Sequence, residues 1–142
     1  MLFGKRERAI SRILIVEDEP LVAFDNEHLL GEAGYEVVAT VDSLADAEEA
    51  LASSEIDLVL SDISLNGDGD GLDVARAARA RGVPVLFVTG KCPEEAPSLG
   101  IGCLAKPYTS RMLRSALDAI DRKLQGRTVK RVPAGLKLYE SG

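Results

Sequence analysis

The chain has 142 residues, 46% hydrophobic and 28% charged, which is enough to form one globular domain with a substantial core. No apolar run reaches the roughly 18 residues of a membrane span, and no signal peptide is visible, so we expect a cytoplasmic protein without membrane contact. The formal net charge is −6, and basic ends flank an acidic body, which argues against direct nucleic-acid binding.

Five short apolar runs predict strands, and their near-continuous hydrophobicity is typical of a parallel sheet covered on both faces. They occupy residues 13–16, 37–41, 57–61, 85–88 and 103–105. Helical stretches alternate with them, over residues 20–30, 44–52, 72–81 and 110–124. We therefore predict an α/β fold with a doubly wound, five-stranded parallel sheet in the flavodoxin-like order 2-1-3-4-5. This domain covers residues 13–125, with a basic extension at 1–12 and a basic tail at 126–142.

The segment between Thr89 and Lys106 breaks the regular alternation. It contains two prolines and three glycines, which are poor helix formers. We predict a shortened or irregular fourth helix there. The same segment holds both cysteines, Cys92 and Cys103. Their spacing indicates neither a metal site nor a disulfide framework, which fits a reducing cytosol.

Polar side chains follow four of the predicted strands. Glu17 and Asp18 follow the first, Asp62 the third, Thr89 the fourth and Lys106 the fifth. Ligands of open parallel sheets bind in the crevice at the carboxyl ends of the strands, so these groups predict one site. Carboxylate oxygens suit Mg²⁺, and a carboxylate can act as the nucleophile in phosphoryl transfer. The ammonium and the hydroxyl would bind phosphoryl oxygens, and Gly90 would leave room for them.

The motifs resemble the receiver domain of bacterial two-component response regulators. They are Ile-Leu-Ile-Val-Glu-Asp-Glu-Pro at 13–20, Asp62, Thr89-Gly90 and Lys-Pro-Tyr at 106–108. The resemblance implies that Asp62 is the phosphoacceptor, and that a sensor histidine kinase or a phosphotransfer protein is the donor. It implies a phosphoacceptor rather than an enzyme.

The resemblance also implies the ligands of a Mg²⁺ ion and the groups that contact the phosphoryl group. The metal ligands would be Glu17, Asp18, Asp62 and the backbone carbonyl of Ser64. Thr89 and Lys106 would contact the phosphoryl group, and the peptide bond before Pro107 would be cis.

Two residues differ from the usual receiver pattern at positions that bear on signal output. Cys103 stands where most receivers place a rotating aromatic residue, and Asn66 replaces a common proline. Phe-Val-Thr-Gly at 87–90 and the compressed crossover resemble the FATGUY receivers of alphaproteobacteria, several of which serve the general stress response. About 17 residues follow the last helix, so we expect a single-domain regulator. Its output would be the binding of an unknown downstream protein or drainage of phosphoryl groups.

Two other functions stay open on the sequence. An aspartyl-phosphate phosphatase would share the carboxylate and lysine chemistry, but it would usually place an acid two positions after the nucleophile, where this chain has Ser64. A receiver used as an unphosphorylated interaction scaffold is the other. The apolar residues of the first helix, Leu21, Val22, Phe24 and Leu30, cannot all face inward, so we expect some apolar surface of this helix to meet the helical bundle of a kinase.

Overall fold

The computed structural model describes residues 8–63 and 71–140. In these ranges the chain forms a six-stranded sheet in the order 2-1-3-4-5-6. The strands are β1 Arg12–Val16, β2 Glu36–Val41, β3 Leu58–Asp62, β4 Val85–Thr89, β5 Gly102–Ala105 and β6 Leu136–Leu138. The helices are α1 Pro20–Glu32, α2 Leu44–Ser53, α3 Gly71–Ala80, α4 Ala96–Leu99 and α5 Ser110–Leu124. None of the helices in the described ranges is long and apolar enough to cross a membrane.

The two faces of the sheet carry separate apolar clusters, which confirms the predicted doubly wound architecture. Alternate residues of β1 point to opposite faces. Ile13 and Ile15 join a cluster with buried residues of α1 and α5, and Leu14 and Val16 join one with buried residues of α2, α3 and α4. All five residues of β3 and of β4 are buried, as expected for central strands covered on both faces.

Side-chain caps fix where two helices begin. The hydroxyl of Ser43 accepts a hydrogen bond from the Asp46 amide at the start of α2, at 3.2 Å. Thr109 caps α5, because its hydroxyl accepts a hydrogen bond from the Met112 amide at 3.1 Å. Such caps satisfy amides that have no partner within the helix.

The fourth crossover is confirmed as compressed, since α4 has only four residues. The prediction of unpaired cysteines is wrong: Cys92 and Cys103 form a disulfide, with Cα atoms 6.3 Å apart. The reason lies in the topology. Because β5 pairs with β4 in parallel, the chain leaves the carboxyl end of β4, crosses back to the amino end of the sheet and then runs along β5 toward the loop that follows β4. The short crossover therefore brings positions 11 residues apart into contact.

A sixth strand corrects the predicted five-stranded parallel sheet. Strand β6 pairs antiparallel with β5 inside the segment that was expected to be a basic tail. Its Leu136 is buried, as is the neighbouring Tyr139. The two strands approach closely at Gly102, where a Cβ atom would lie 2.8 Å from the Lys137 carbonyl oxygen. Glycine therefore permits this pairing.

The packed unit also begins before residue 13. Ile10 is fully buried, and the buried carboxylate of Asp121 in α5 accepts hydrogen bonds from the amides of Ala9 and Ile10, at 3.0 and 2.9 Å. The carboxylate of Asp57 accepts from the Arg12 amide at 2.9 Å. Two aspartates thus fix the chain as it enters β1.

Replacing Asp121 with asparagine should lower the free energy of unfolding by about 1–3 kcal/mol, because an amide can supply only one acceptor to the two backbone N–H groups. Urea unfolding would measure the loss. Asp118→Asn is the matched control, since Asp118 lies on the exposed side of α5 and should change stability little. Equal stability of the two variants would contradict a structural role for Asp121.

Candidate functional site

The strand register aligns the polar residues along the carboxyl edge of the sheet. Val16 pairs with Ser61, so that Glu17 and Asp18 follow β1 where Asp62 ends β3. Thr89 ends the neighbouring β4, in register with Ala105 of β5. Lys106 follows directly, and its backbone amide donates to the Thr89 carbonyl oxygen at 2.8 Å. The parallel topology therefore brings together the groups that the sequence places after four different strands.

Three carboxylates form the centre of the site. Glu17, Asp18 and Asp62 each offer an oxygen, and these oxygens all lie within 4.8 Å of one another. Glu17 and Asp62 are buried, whereas Asp18 is partly exposed. Acidic side chains this close repel one another unless a cation or protons neutralise them. The cluster is thus suited to a divalent cation with oxygen ligands.

Lys106 supplies a positive charge beside Asp62 and Glu17. Its Nζ lies 2.9 Å from Asp62 Oδ2 and 3.8 Å from Glu17 Oε1. Burial acts to lower the pKa of Lys106, but the hydrogen bond to Asp62 and the charge of Glu17 outweigh it, so the pKa is raised. The ammonium therefore stays charged at physiological pH. The Lys106–Pro107 peptide bond is cis, as the resemblance implies.

Glu17 shows most directly that the cluster would accommodate a cation. Its Oε2 accepts from the Glu19 amide at 3.1 Å, but its buried Oε1 has no hydrogen-bond partner. Burial, opposed by the Glu19 hydrogen bond and reinforced by the charge of Asp62, raises the pKa of Glu17 to about 7. A buried carboxylate oxygen without a hydrogen bond is costly, and a metal ion would satisfy it.

Space for a ligand lies beside the cluster. Gly90 is exposed, and a Cβ atom at this position would meet nothing within 4 Å. Gly71, the first residue of α3, has the opposite environment, because a Cβ atom there would collide with the backbone of Asp62 and Ile63. Helix α3 therefore packs directly on the end of β3. Ser64, predicted to give a carbonyl ligand, and Asn66 lie outside the described residues.

The raised pKa of Glu17 predicts how the stability of the metal-free protein depends on pH. A carboxyl group whose pKa rises from 4.5 to about 7 on folding stabilises the fold fully below pH 4.5, and this stabilisation is lost as the pH rises through 7. The free energy of unfolding of the wild-type protein should therefore fall between pH 5 and 8.5. In Glu17→Gln this fall should be smaller by about 2–3 kcal/mol.

Urea unfolding in EDTA would measure this difference. Glu19→Gln is the control, because Glu19 is exposed and contributes only its backbone amide. An unchanged pH profile in Glu17→Gln would show that Glu17 does not titrate near neutrality.

A second feature near the site could not be predicted from the sequence. Asn26 of α1 donates to the Tyr108 hydroxyl at 3.1 Å, and both line a groove of about 570 Å³ between α1 and the loop after Lys106. Tyr108 belongs to the recognised motif, but no local signal indicates that Asn26 is its partner. Of the four apolar residues considered on α1, Leu21 and Phe24 are 79% and 66% exposed, whereas Leu30 is buried.

Comparison with known proteins agrees with this geometry. Residues 13–118 match the model of the response regulator receiver domain. The transcriptional regulatory protein AruR of Pseudomonas aeruginosa is 31% identical over 144 residues, which cover 94% of this chain and 58% of AruR. The chain therefore spans little more than half the length of that relative.

Two solved structures extend the comparison. SdrG from Sphingomonas melonis Fr1 is 33% identical, with a TM-score of 0.66 over 79% of this chain and 97% of SdrG. The receiver domain of the sensor histidine kinase PA1611 from Pseudomonas aeruginosa is 28% identical, with a TM-score of 0.66 over 76% of this chain and 94% of that domain. That domain holds a magnesium ion in its active-site cleft. The sequence match, the fold and the arrangement of the acidic cluster lead to one conclusion: this chain belongs to the response regulator receiver domain family.

Proposed function

We propose that the protein acts in a two-component phosphorelay as a response regulator whose Asp62 accepts a phosphoryl group from a histidine kinase or a phosphotransfer protein. The contact between Lys106 Nζ and Asp62 Oδ2, at 2.9 Å beside the three-carboxylate cluster, is the observation that carries this proposal. In this contact the Lys106 ammonium lies against one oxygen of the carboxylate that would attack phosphorus. Such positioning and charge neutralisation are the main requirements of phosphoryl transfer.

Each residue has a distinct role in the proposed reaction. An oxygen of Asp62 forms a bond to phosphorus as the bond from phosphorus to the donor histidine breaks. Lys106 holds Asp62 in place and neutralises charge on the phosphoryl oxygens. The Thr89 hydroxyl would bind another of these oxygens in the open space beside Gly90. Glu17, Asp18 and Asp62, with the Ser64 carbonyl, would hold Mg²⁺, which supplies further neutralisation of charge.

The proposal is tested by incubating the protein with Mg²⁺ and a small phosphoryl donor such as acetyl phosphate. We expect one phosphoryl group per chain by intact mass, bound to Asp62, with no labelling in EDTA or in Asp62→Asn. Absence of label on the wild-type protein would contradict the proposal and favour an unphosphorylated scaffold. Repeated hydrolysis of a phosphomonoester would instead favour the phosphatase alternative.

The exposed apolar face of α1 is the proposed docking surface for the donor. Leu21 and Phe24 are large apolar side chains left in contact with solvent, beside the groove that Asn26 and Tyr108 line. An amphipathic helix of a kinase could cover them and bury apolar area. A phosphotransfer profile against the kinases of the source organism would identify the donor.

We expect Phe24→Asp to slow phosphotransfer from that kinase at least about 10-fold, because a charge would enter the apolar contact. Labelling by acetyl phosphate should stay unchanged, since Phe24 lies outside the carboxylate cluster. Glu27→Gln, on an exposed position of the same helix, is the control. If Phe24→Asp slowed phosphorylation by the kinase and by acetyl phosphate equally, the proposed docking surface would be contradicted.

The output of the regulator is proposed to use the fourth crossover rather than a rotating aromatic residue. Cys103 is buried at the position where such a residue would stand, and α4 is only four residues long. These features and the Phe-Val-Thr-Gly sequence at 87–90 support placement among the FATGUY receivers of the general stress response. A chromosomal Asp62→Ala variant should then impair survival of stress, and normal survival would contradict this role.

A further inference from the structure

A disulfide joins the two ends of the crossover next to the phosphoacceptor site. Cys92 lies three positions after Thr89, and Cys103 lies three positions before Lys106. These are the only two cysteines of the chain. The crosslink therefore connects the segment that leaves β4 with the strand that leads to Lys106.

The two sulfurs differ in their access to solvent. Cys103 is fully buried in the apolar cluster that includes Phe87 and Tyr139. Cys92 is partly exposed and packs against the edge of the same cluster. Thiol–disulfide exchange requires a thiolate to approach a sulfur atom directly, so accessibility decides which sulfur reacts. Only Cys92 can meet a molecule from solvent without opening the core.

Short-range hydrogen bonds and a few contacts to neighbouring elements order the chain between the two cysteines. Within the segment, the amides of Ala96, Ser98 and Gly100 donate to the carbonyl oxygens of Pro93, Glu95 and Ala96, at 3.2, 3.2 and 2.8 Å, and the Ser98 hydroxyl donates to the Glu95 carbonyl oxygen at 2.9 Å. Arg79 of α3 donates to the Ser98 carbonyl oxygen, and the Ile101 amide donates to the Val85 carbonyl oxygen at 2.8 Å. Closing a loop of this length removes much of its conformational freedom. Because α4 has only four residues, the disulfide adds a covalent constraint to a crossover that has little regular secondary structure.

We propose that Cys92 and Cys103 form a reversible thiol–disulfide exchange site for low-molecular-weight disulfides and thiols of the glutathione class. Cys92 is the entry sulfur, and Cys103 is the resolving sulfur. The sequence predicts a cytoplasmic protein, and in the cytosol, where most thiols are kept reduced, a disulfide is typically of this reversible kind. The pair then sets how freely the crossover moves.

The exchange balances in two steps. The Cys92 thiolate attacks one sulfur of the small disulfide, whose S–S bond breaks as a mixed disulfide forms on Cys92 and one small thiol leaves. The Cys103 thiolate then attacks the Cys92 sulfur and releases the second small thiol. Two electrons pass from the protein sulfurs to the small disulfide, and the two protons of the protein thiols end on the two released thiols.

The first test measures the oxidation state of the two cysteines of the full chain in buffers that differ in the ratio of reduced to oxidised glutathione. After equilibration, alkylation and peptide mass mapping would give the dithiol, mixed-disulfide and disulfide fractions. We expect all of the protein to pass between dithiol and disulfide across the series while it remains folded by circular dichroism. In the reduced wild-type protein, Cys92 should be alkylated at least about 100-fold faster than Cys103, because Cys103 is buried.

Matched variants identify the entry sulfur. Cys103→Ala, a small apolar replacement suited to the core, should accumulate a glutathione adduct on Cys92. Cys92→Ala should form no adduct while it is folded. A protein that keeps its disulfide, or its dithiol, at every glutathione ratio would overturn the proposal, as would equal alkylation rates of the two cysteines. The alkylation rates are measured on the wild-type protein, so they test which cysteine is the entry sulfur even if a variant does not fold.

The effect on signalling rests on the proposed function. Hydrogen exchange should be at least about 10-fold faster across residues 91–100 in the dithiol form than in the disulfide form. With Mg²⁺ and beryllofluoride, a mimic of the acyl phosphate, protection of this segment should change more in the dithiol form. If beryllofluoride bound to neither form, the proposed function would fail, while the exchange site would stand on the alkylation result. Equal protection of the two forms with beryllofluoride bound would overturn the coupling alone.

Discussion

Lys106→Met should slow the phosphorylation of Asp62 by acetyl phosphate about 100-fold, the usual cost of removing one charged group that stabilises the transition state. The Lys106 ammonium contacts Asp62 Oδ2 at 2.9 Å and lies 3.8 Å from Glu17 Oε1. Methionine keeps much of the volume of the side chain but provides no charge. The same loss should tighten Mg²⁺ binding several-fold, since one positive charge no longer opposes the metal.

These opposite changes distinguish a specific role for Lys106 from general damage to the site. Labelling rates would be measured at saturating Mg²⁺, and metal affinity by titration calorimetry. Lys137→Met is the control for net charge, because Lys137 is exposed on β6, and it should alter neither quantity. Weaker metal binding together with slower labelling would indicate that the site had collapsed, and an unchanged rate would exclude Lys106 from the chemistry.

Leu136→Ala should lower the free energy of unfolding by about 3 kcal/mol. Leu136 is buried at 6% exposure, and removing a buried leucine side chain costs its transfer energy plus the cavity that it leaves. The loss should be measurable by urea unfolding.

Val132→Ala is the matched control in the same segment. Val132 is 46% exposed, so we expect a change below about 0.5 kcal/mol. Similar values for the two variants would mean that β6 contributes nothing to the packed unit. The segment from residue 126 would then be the loose tail that its composition suggests.

The set of polar residues at the carboxyl edge of the sheet could be predicted, because each of them stands at or next to the end of its strand in the sequence. The apolar strands β3 and β4 end in a polar residue, and β1 and β5 are followed directly by one. Parallel pairing brings such strand ends to one edge of the sheet, whatever the loops do. Glu17, Asp62 and Lys106 therefore come together by topology alone. The short α4 could likewise be predicted, because prolines and glycines limit helix formation wherever they occur.

The features that the sequence did not reveal depend on contacts between distant segments. Strand β6 has three residues, too few to show an alternating pattern. The disulfide follows from the pairing of β5 with β4 and not from any spacing rule. Asp121 bonds to Ile10 across 111 positions, and its carboxylate looks like any other on a charged helix.

The antiparallel course of β6 also determines where the described chain ends, and Asp121 of α5 holds the segment where it begins. It runs back from the carboxyl edge, and the Tyr139 amide donates to the Ile101 carbonyl oxygen just before β5 begins. Residues 8 and 140 thus both lie at the amino edge, with the length of a five-residue strand, about 17 Å, between them and Asp62. A fluorescent dye attached at residue 8 or residue 140 would therefore lie away from Asp62, the proposed phosphoacceptor, so that phosphorylation could be followed on the labelled protein.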